Sequence, residues 1–277
     1  MRNCTYKGRQ LLCINGIIFL IILLLSSCAN FIVDIDLQDE WIVAESGKIV
    51  LHYRPQNFSS VQSPALEQAQ TILHNQNYYY QVIQDSIKRR FNDKVLVYLF
   101  NKDEAKRLIG TNTGGHAIPR FNTYYYTFLT DMPGYTDQYG IENPFLGAHE
   151  LVHVITHRSI GYPGTKLMSE GYAVWLDGTY ARYSISDIIC TYRDNAPNKI
   201  LTPDQLLSEA TDDESVFYPN SGVLVRFLVQ TYGIEKINSL FTLPEEKFKK
   251  EFTRQTGSSW ETMCAEYEEY IKNIEKE

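Results

Sequence analysis

Apolar positions recur with two different periods in the first hundred residues of this chain. Residues 41–53 contain two short strand-like runs separated by a turn at Ser46–Gly47, and residues 94–100 form a nearly continuous apolar run of strand length. Between these runs, apolar side chains recur at helical spacing from the Ser63–Pro64 pair to about Arg90. The pattern predicts a strand pair, a long amphipathic helix and a further strand.

The rest of the chain changes from strand formers to helix formers. Residues 114–128 are rich in strand-forming residues and predict a strand or a hairpin. The Asn143–Pro144 pair predicts the start of a helix, and the chain beyond Asp177 is mainly helical in pattern. The last helix is predicted to begin with a capping box formed by Ser258 and Glu261. The whole pattern indicates an α+β fold with a helical C-terminal part.

The N-terminus has the composition of an export signal. Residues 1–27 contain no acidic side chain and three basic ones, Arg2, Lys7 and Arg9. An apolar run over residues 17–25 follows, which is too short to span a bilayer comfortably. We therefore predict a signal peptide over residues 1–27, with an uncleaved membrane anchor as the alternative.

The end of this segment, Leu25-Ser26-Ser27-Cys28, resembles the lipobox of bacterial lipoproteins. The resemblance implies cleavage before Cys28 and a lipid on its sulfur. It also implies an exported protein anchored to a cell-envelope membrane, periplasmic or on the outer surface, with residues 28–40 as a tether.

Charge and cysteine content limit the possible partners. Removal of residues 1–27 takes away three positive charges and no negative charge, so the formal net charge changes from -7 to -10. A chain this acidic lacks the basic patch that neutralises phosphates, which argues against a nucleic-acid partner. With Cys28 lipidated, only Cys190 and Cys264 remain as thiols, and they form either one disulfide or two buried free cysteines.

The run His149-Glu150-Leu151-Val152-His153 is the strongest chemical signal in the chain. Histidines four residues apart share one face of a helix and can bind one zinc ion, and the glutamate after the first is placed to act on its water. The helix around the motif is apolar nearly all round, so it is predicted to be buried. A metal would compensate two buried imidazoles and a carboxylate. The alternative is a core helix with satisfied histidines.

A third metal ligand is required, and three candidates compete. His157 lies about 12 Å along the helix from His149, too far for one coordination sphere. A metzincin-type extension needs a glycine and a histidine where this chain has Thr156 and Ser159. Glu170 lies on a second predicted helix after a turn and can fold back against the first. A solvated acid near a helix N-terminus is the alternative for Glu170.

Residues 167–173, Leu-Met-Ser-Glu-Gly-Tyr-Ala, resemble the peptidase MA-like group of the gluzincin metallopeptidases, as do residues 218–228 more softly. The resemblance implies a gluzincin-like metallopeptidase domain over residues 41–277. Its N-terminal β-sheet and helix lobe, with the active-site helix, would cover residues 41–160. Its helical lobe would cover residues 161–277.

The resemblance also implies a set of site residues. The ligands of Zn2+ would be His149, His153 and Glu170. Glu150 would be the general base for a zinc-bound water, and Tyr218 would stabilise the oxyanion unless it is one of the many packing tyrosines. Asp177 would accept a hydrogen bond from a ligand histidine and so orient its ring, or lie on the surface beside Gly178.

These residues predict zinc-dependent hydrolysis of peptide bonds by a lipid-anchored enzyme, with endopeptidase action favoured. The strand region over residues 114–128 predicts an edge along which an extended peptide or protein substrate lies, with His116 as a surface residue. One alternative function is a catalytically silent cell-envelope lipoprotein that uses the same scaffold for binding. Another is a different zinc-dependent hydrolase. The sequence makes no prediction about oligomeric state.

Overall fold

The computed structural model describes residues 41–54, 65–100, 102–109, 114–127, 135–143 and 146–276. The chain from Val43 onward clusters into one compact unit. The predicted signal peptide, the tether and the lipidation site Cys28 lie outside the described residues. The architecture is α+β, as predicted, with a five-stranded mixed sheet followed by a mainly helical part.

The sheet contains β1 (Ile42–Ser46), β2 (Ile49–Tyr53), β3 (Val95–Phe100), β4 (Gly115–Ile118) and β5 (Thr123–Thr127), in the order β1-β2-β3-β5-β4. Strands β2, β3 and β5 are parallel, whereas β4 pairs antiparallel with β5 and forms an edge. Strand β3 is buried at nearly every position, which explains why its sequence is apolar without alternation. The predicted strand pair, central strand and hairpin are thus confirmed.

The long helix α1 (Ala65–Ile87) connects the parallel strands β2 and β3. Its buried apolar side chains recur at helical spacing and face the core: Ala69, Ile72, Leu73, Tyr80, Ile83 and Ile87. The helix ends at Ile87 because Lys88 adopts a left-handed φ of 54°. It is therefore shorter than the predicted helix, which extended to about Arg90.

The metal-motif helix lies between the sheet and the helical part. The remaining elements before residue 185 are α2 (Lys102–Ile109), β6 (Tyr135–Thr136), β7 (Glu142–Asn143), α3 (His149–Ser159), α4 (Lys166–Asp177), β8 (Thr179–Tyr180) and β9 (Tyr183–Ser184). They are followed by α5 (Ile185–Asn195), α6 (Pro203–Leu207), α7 (Glu214–Tyr232), α8 (Ile234–Asn238), α9 (Glu245–Thr256) and α10 (Trp260–Asn273). Helix α3 packs against α1, β4 and α4, and α4 packs against α7.

The predicted start of the motif helix is wrong. Helix α3 begins at His149 with Ala148 as its N-cap residue, whereas the sequence pattern placed the start at Asn143–Pro144. Residues Glu142 and Asn143 instead form β7, which pairs antiparallel with β6. A strand this short depends on its partner, so no local pattern in the sequence announces it.

The predicted capping box of the last helix is also wrong. The N-cap of α10 is Ser259, whose hydroxyl accepts a hydrogen bond from the Thr262 N–H at 3.1 Å. The prediction placed the cap one residue earlier, at Ser258 with Glu261. Two adjacent serines offer equivalent capping side chains, so spacing cannot choose between them. Ser258 instead donates its N–H to Thr256 Oγ1 at 3.1 Å, at the end of α9.

Two further properties concern the membrane and the thiols. Every helix among the described residues is too short or too polar to cross a bilayer. Cys190 is buried and Cys264 is half-buried, and both are free thiols. Cys190 and Cys264 are therefore not joined by a disulfide, which was one of the two alternatives for this pair.

Candidate metal centre

Hydrogen bonds from two other elements fix the start of α3, and a third element holds one of the two bonding side chains. Gln76 of α1 donates from Nε2 to the Gly147 carbonyl oxygen at 3.1 Å, and its Oε1 accepts from the Tyr124 hydroxyl of β5 at 2.7 Å. At the end of α4, the Asp177 carboxylate accepts a hydrogen bond from the Ala148 N–H at 2.5 Å. The first residue of α3 therefore has a fixed position relative to the sheet and to α4.

The connection from α3 to α4 is short and tightly packed. A Cβ at Gly164 would collide with the Leu243 carbonyl group, so only glycine allows this close backbone approach. Thr165 then caps α4, because its hydroxyl accepts a hydrogen bond from the Met168 N–H at 3.3 Å. Glu170 lies in the second turn of α4 and faces the histidines of α3.

A second close approach, between α4 and α7, brings Tyr218 to the site. A Cβ at Gly171 would lie 2.5 Å from Val225 Cγ2, and a Cβ at Gly222 would lie 2.6 Å from Val174 Cγ1. These two glycines allow the helix backbones to approach each other. As a result, Tyr218 of α7 lines the same cleft as the metal ligands on α3 and α4.

The side chains of His149, His153 and Glu170 form a group able to hold a metal ion. The two histidine Nε2 atoms lie 3.2 Å apart. Each Nε2 atom lies 3.4 Å from Glu170 Oε2. The three donor atoms thus form a nearly equilateral triangle, and the structure brings all three predicted ligands to one point.

The charges around this triangle favour a cation at its centre. Burial by itself lowers the pKa of His149, but the hydrogen bond that His149 donates to Glu170 and the charges of Glu150, Glu170 and Asp177 outweigh burial and raise the pKa to about 9. Burial raises the pKa of Glu170, but its hydrogen bonds with His149 and His153 hold that pKa well below its usual range. The site therefore stabilises a positive charge next to an ionised carboxylate.

Glu150 lies between the metal ligands and the edge strand of the sheet. A Cβ at Gly115 of β4 would lie 2.5 Å from Glu150 Cγ and 2.6 Å from its Oε1. Glycine at this position leaves the space that the glutamate side chain occupies. The carboxylate therefore faces an open cleft of about 230 Å³, the metal cleft, bounded by the ligand group, β4, Pro119, His157 and Tyr218.

Tyr218 carries a proton that it can donate within the metal cleft. Its ring stacks on His149 with the ring centroids 6.1 Å apart. Lys166 Nζ lies 5.7 Å from the centre of the tyrosine ring. Burial, followed by the charge of Glu170, raises the pKa of Tyr218 well above its usual range. The phenol is therefore neutral near pH 7 and can act as a hydrogen-bond donor.

Asp177 is buried, so its surface alternative does not apply. Burial raises its pKa, although hydrogen bonds from Thr179 and Ala148 oppose that rise. Among the described residues, these bonds go to the Ala148 N–H and to Thr179 Oγ1, at 2.5 and 2.6 Å, and not to an imidazole ring. Asp177 therefore positions His149 through the backbone at the start of α3, and its charge adds to the rise in the pKa of His149.

Two histidines near the metal group do not belong to it. His157 lines the metal cleft with its ring centroid 5.8 Å from that of His153. Burial, followed by the charge of His153, lowers the pKa of His157 to about 4, so this imidazole is neutral near pH 7. His116, on β4, is exposed and also lines the cleft.

Sequence reasoning missed several residues that support the site. Gln76 is fully buried on the apolar face of α1. A polar residue within that apolar stripe was the signal in the sequence that Gln76 has a buried hydrogen-bonding role. Ser169 Oγ lies 3.5 Å from His153 Nδ1, and its position just before Glu170 gave no separate signal. The packing roles of Gly115 and Gly222 depend on neighbours distant in sequence, so no local pattern indicated them.

The metal centre thus combines residues from α3, α4, α7 and β4 in one cleft. Comparison of the chain with models of protein families finds no match, and comparison with curated proteins finds none either. The assignment of a function therefore rests on the geometry and the chemistry of the site.

Proposed function

We propose that this chain is a zinc-dependent metallopeptidase that hydrolyses peptide bonds in peptide or protein substrates. The observation that carries the proposal is the triangle of His149, His153 and Glu170 donor atoms, with the Glu150 carboxylate beside it in an open cleft. A group that only stabilised a helix pair would not require a free carboxylate facing a cleft. The resemblance to the gluzincins, and to their peptidase MA-like group, is consistent with this proposal.

The geometry of the ligand group fits zinc. A tetrahedral zinc ion lies about 2.0–2.1 Å from nitrogen and oxygen ligands, which separates the ligand atoms by about 3.3–3.4 Å. The three observed separations are 3.2, 3.4 and 3.4 Å. Two imidazoles and one carboxylate are also the donor set of catalytic zinc sites with an open fourth position, whereas calcium and magnesium prefer oxygen ligands.

The residues of the chain divide the chemistry between them. When bound, zinc supplies a Lewis acid that activates water and polarises the carbonyl group of the scissile bond. Glu150 takes the proton from the attacking water and delivers it to the leaving nitrogen. Tyr218, a neutral phenol, donates a hydrogen bond to the oxygen that becomes negative during attack. Asp177 holds the start of the ligand helix in place.

The proposal extends to the substrate and the location. The edge strand β4 borders the metal cleft, so an extended peptide can pair with it while its scissile bond lies near Glu150. The acidic chain supports a protein or peptide partner and no nucleic acid. The lipobox-like residues ending at Cys28 support export and lipid anchoring to a bacterial cell-envelope membrane. Residues 41–160 and 161–277 are proposed as the two gluzincin-like lobes.

The proposal is tested by measuring zinc per chain and peptide hydrolysis in the same preparations. We expect near-stoichiometric zinc in the parent protein and a large loss of zinc in Glu170→Ala. In Glu150→Gln we expect zinc to remain and hydrolysis of a broad peptide mixture to disappear. Glu268→Gln is the matched control, since this exposed glutamate lies on α10, and it should behave as the parent.

Two results would contradict the proposal in different ways. Little zinc in the parent after reconstitution would refute the metal site itself. Full zinc with no hydrolysis of any peptide, in the parent as in Glu150→Gln, would refute the peptidase and leave a binding lipoprotein or a different zinc-dependent hydrolase.

A further inference from the structure

The imidazole rings of α3 continue past the metal ligands. His149, His153 and His157 follow one face of the helix, with successive ring centroids 4.9 and 5.8 Å apart. His157 is outside the metal-binding group but borders the metal cleft. This third imidazole therefore extends the wall of the cleft beyond the metal position.

The surface that His157 contributes to the cleft is carbon. Both of its ring nitrogens are shielded from solvent and have no hydrogen-bond partner among the described residues. Its ring packs against Tyr162, with the centroids 5.4 Å apart. Pro119 and Ala117 border the same cleft from the side of β4. His157, Pro119 and Ala117 form an uncharged part of the cleft wall, and Tyr162 packs on His157 beside it. We call these four residues the His157 subsite.

Tyr162 is the unusual member of this subsite. Its side chain is 62% exposed, which leaves a large aromatic surface in water beside the cleft. The loop that carries it is nevertheless anchored at both ends. Gly161 N–H donates to the Thr156 carbonyl at 3.3 Å, and Gly164 N–H donates to the Phe241 carbonyl at 2.9 Å. An exposed aromatic ring on an anchored loop is preorganised for contact with a ligand.

We propose that the His157 subsite binds an aromatic side chain of the peptide substrate, which packs against the exposed ring of Tyr162 and the carbon edge of His157. This inference rests on the proposed peptidase function and specifies its substrate. An aromatic ring covers the exposed surface of Tyr162 and contacts the carbon edge of His157. A charged side chain finds no partner in these four residues and loses its hydration, and a small apolar side chain leaves Tyr162 uncovered.

The test measures peptide binding and not cleavage. The zinc-loaded full chain with Glu150→Gln is titrated with alanine-based hexapeptides in which one position carries phenylalanine or aspartate. At one position we expect phenylalanine to improve affinity about threefold to tenfold over alanine, the range for aromatic contacts beyond simple burial. Aspartate at that position should give no gain.

Truncation variants in the same background identify the surface responsible. His157→Ser and Tyr162→Ser should each reduce the phenylalanine advantage and retain zinc. Tyr183→Ser is the matched control, because Tyr183 is 69% exposed but lies on β9 and does not border the cleft. It should leave the advantage unchanged.

The outcomes separate this inference from the proposed function. A phenylalanine advantage that is absent at every position, or that survives in both truncation variants, would overturn the subsite. Zinc analysis and hydrolysis by the parent protein report on the peptidase independently. A parent that binds zinc and phenylalanine peptides but cleaves none would remove the peptidase activity and leave the subsite standing.

Discussion

The close packing of α4 on α7 predicts that one added methyl group displaces part of the catalytic site. In Gly171→Ala the new Cβ would lie 2.5 Å from Val225 Cγ2 and 3.0 Å from the Ser221 carbonyl oxygen. Carbon atoms pack at about 3.5–4.0 Å, so the two helices must separate by roughly 1 Å or Val225 must rotate. Overpacking costs about 1–3 kcal/mol. Alanine has a better helix propensity than glycine, which offsets about 1 kcal/mol of this loss of stability.

Gly171→Ala should change the rate of peptide hydrolysis more than it changes the free energy of unfolding. The three metal ligands lie on α3 and α4, so separation of α4 from α7 leaves their triangle intact. Tyr218 lies on α7 and moves relative to Glu170. A displacement of about 1 Å at a reacting group costs about 100-fold in rate, so we expect kcat for peptide hydrolysis to fall by that order with zinc content unchanged.

Urea unfolding, zinc analysis and hydrolysis assays measure the three effects separately. The double variant Gly171→Ala/Val225→Ala removes the Cγ2 atom that clashes and should recover much of the lost rate, even though Val225→Ala alone leaves a cavity and lowers stability. The reasoning is refuted if Gly171→Ala keeps the parental stability and rate. It is equally refuted if zinc is lost, because that result would mean that the ligand triangle had moved.

Three further predictions concern single residues. Asp177→Asn replaces one carboxylate oxygen with an NH2 group. One of the two buried donors, the Ala148 N–H or the Thr179 hydroxyl, then faces another donor, so the free energy of unfolding should fall by about 1–3 kcal/mol. Its zinc affinity should fall about tenfold in a competition assay, and unchanged values of both would contradict the role of Asp177. Ala181 has a φ of 49° in the turn between β8 and β9, so Ala181→Asn should raise the free energy of unfolding in urea by about 1 kcal/mol, and a decrease would count against strain there. Tyr218→Phe should lower kcat about 100- to 1,000-fold with zinc content and KM unchanged, whereas an unaffected kcat would remove Tyr218 from the mechanism.

Much of the fold could be predicted because its signals are local. The apolar run of β3 and the helical spacing in α1 depend only on neighbouring residues, and both elements form, although α1 ends at Ile87, before the predicted end at about Arg90. The start of α3 could not be predicted in this way. Its preceding residues form β7, and that strand exists only through pairing with β6. The choice of Ser259 over Ser258 as a cap could not be predicted either, because adjacent serines offer equivalent capping side chains.

The candidate site also combines features that local spacing predicted with features that only the fold sets. Spacing alone put the two histidines of the motif on one helical face, and a turn followed by a second helix made Glu170 the best third donor. The buried environment of Asp177 depended on the fold, since its partners belong to two different elements.

By itself, the sequence determined which residue types were available for chemistry and which face of each helix was apolar, because both follow from spacing along the chain. Only the tertiary structure decided the distances between donor atoms, the approach of Tyr218 through Gly171 and Gly222, and the exposed aromatic ring beside His157. These features depend on contacts between elements far apart in sequence, and close packing fixes such contacts to fractions of an ångström.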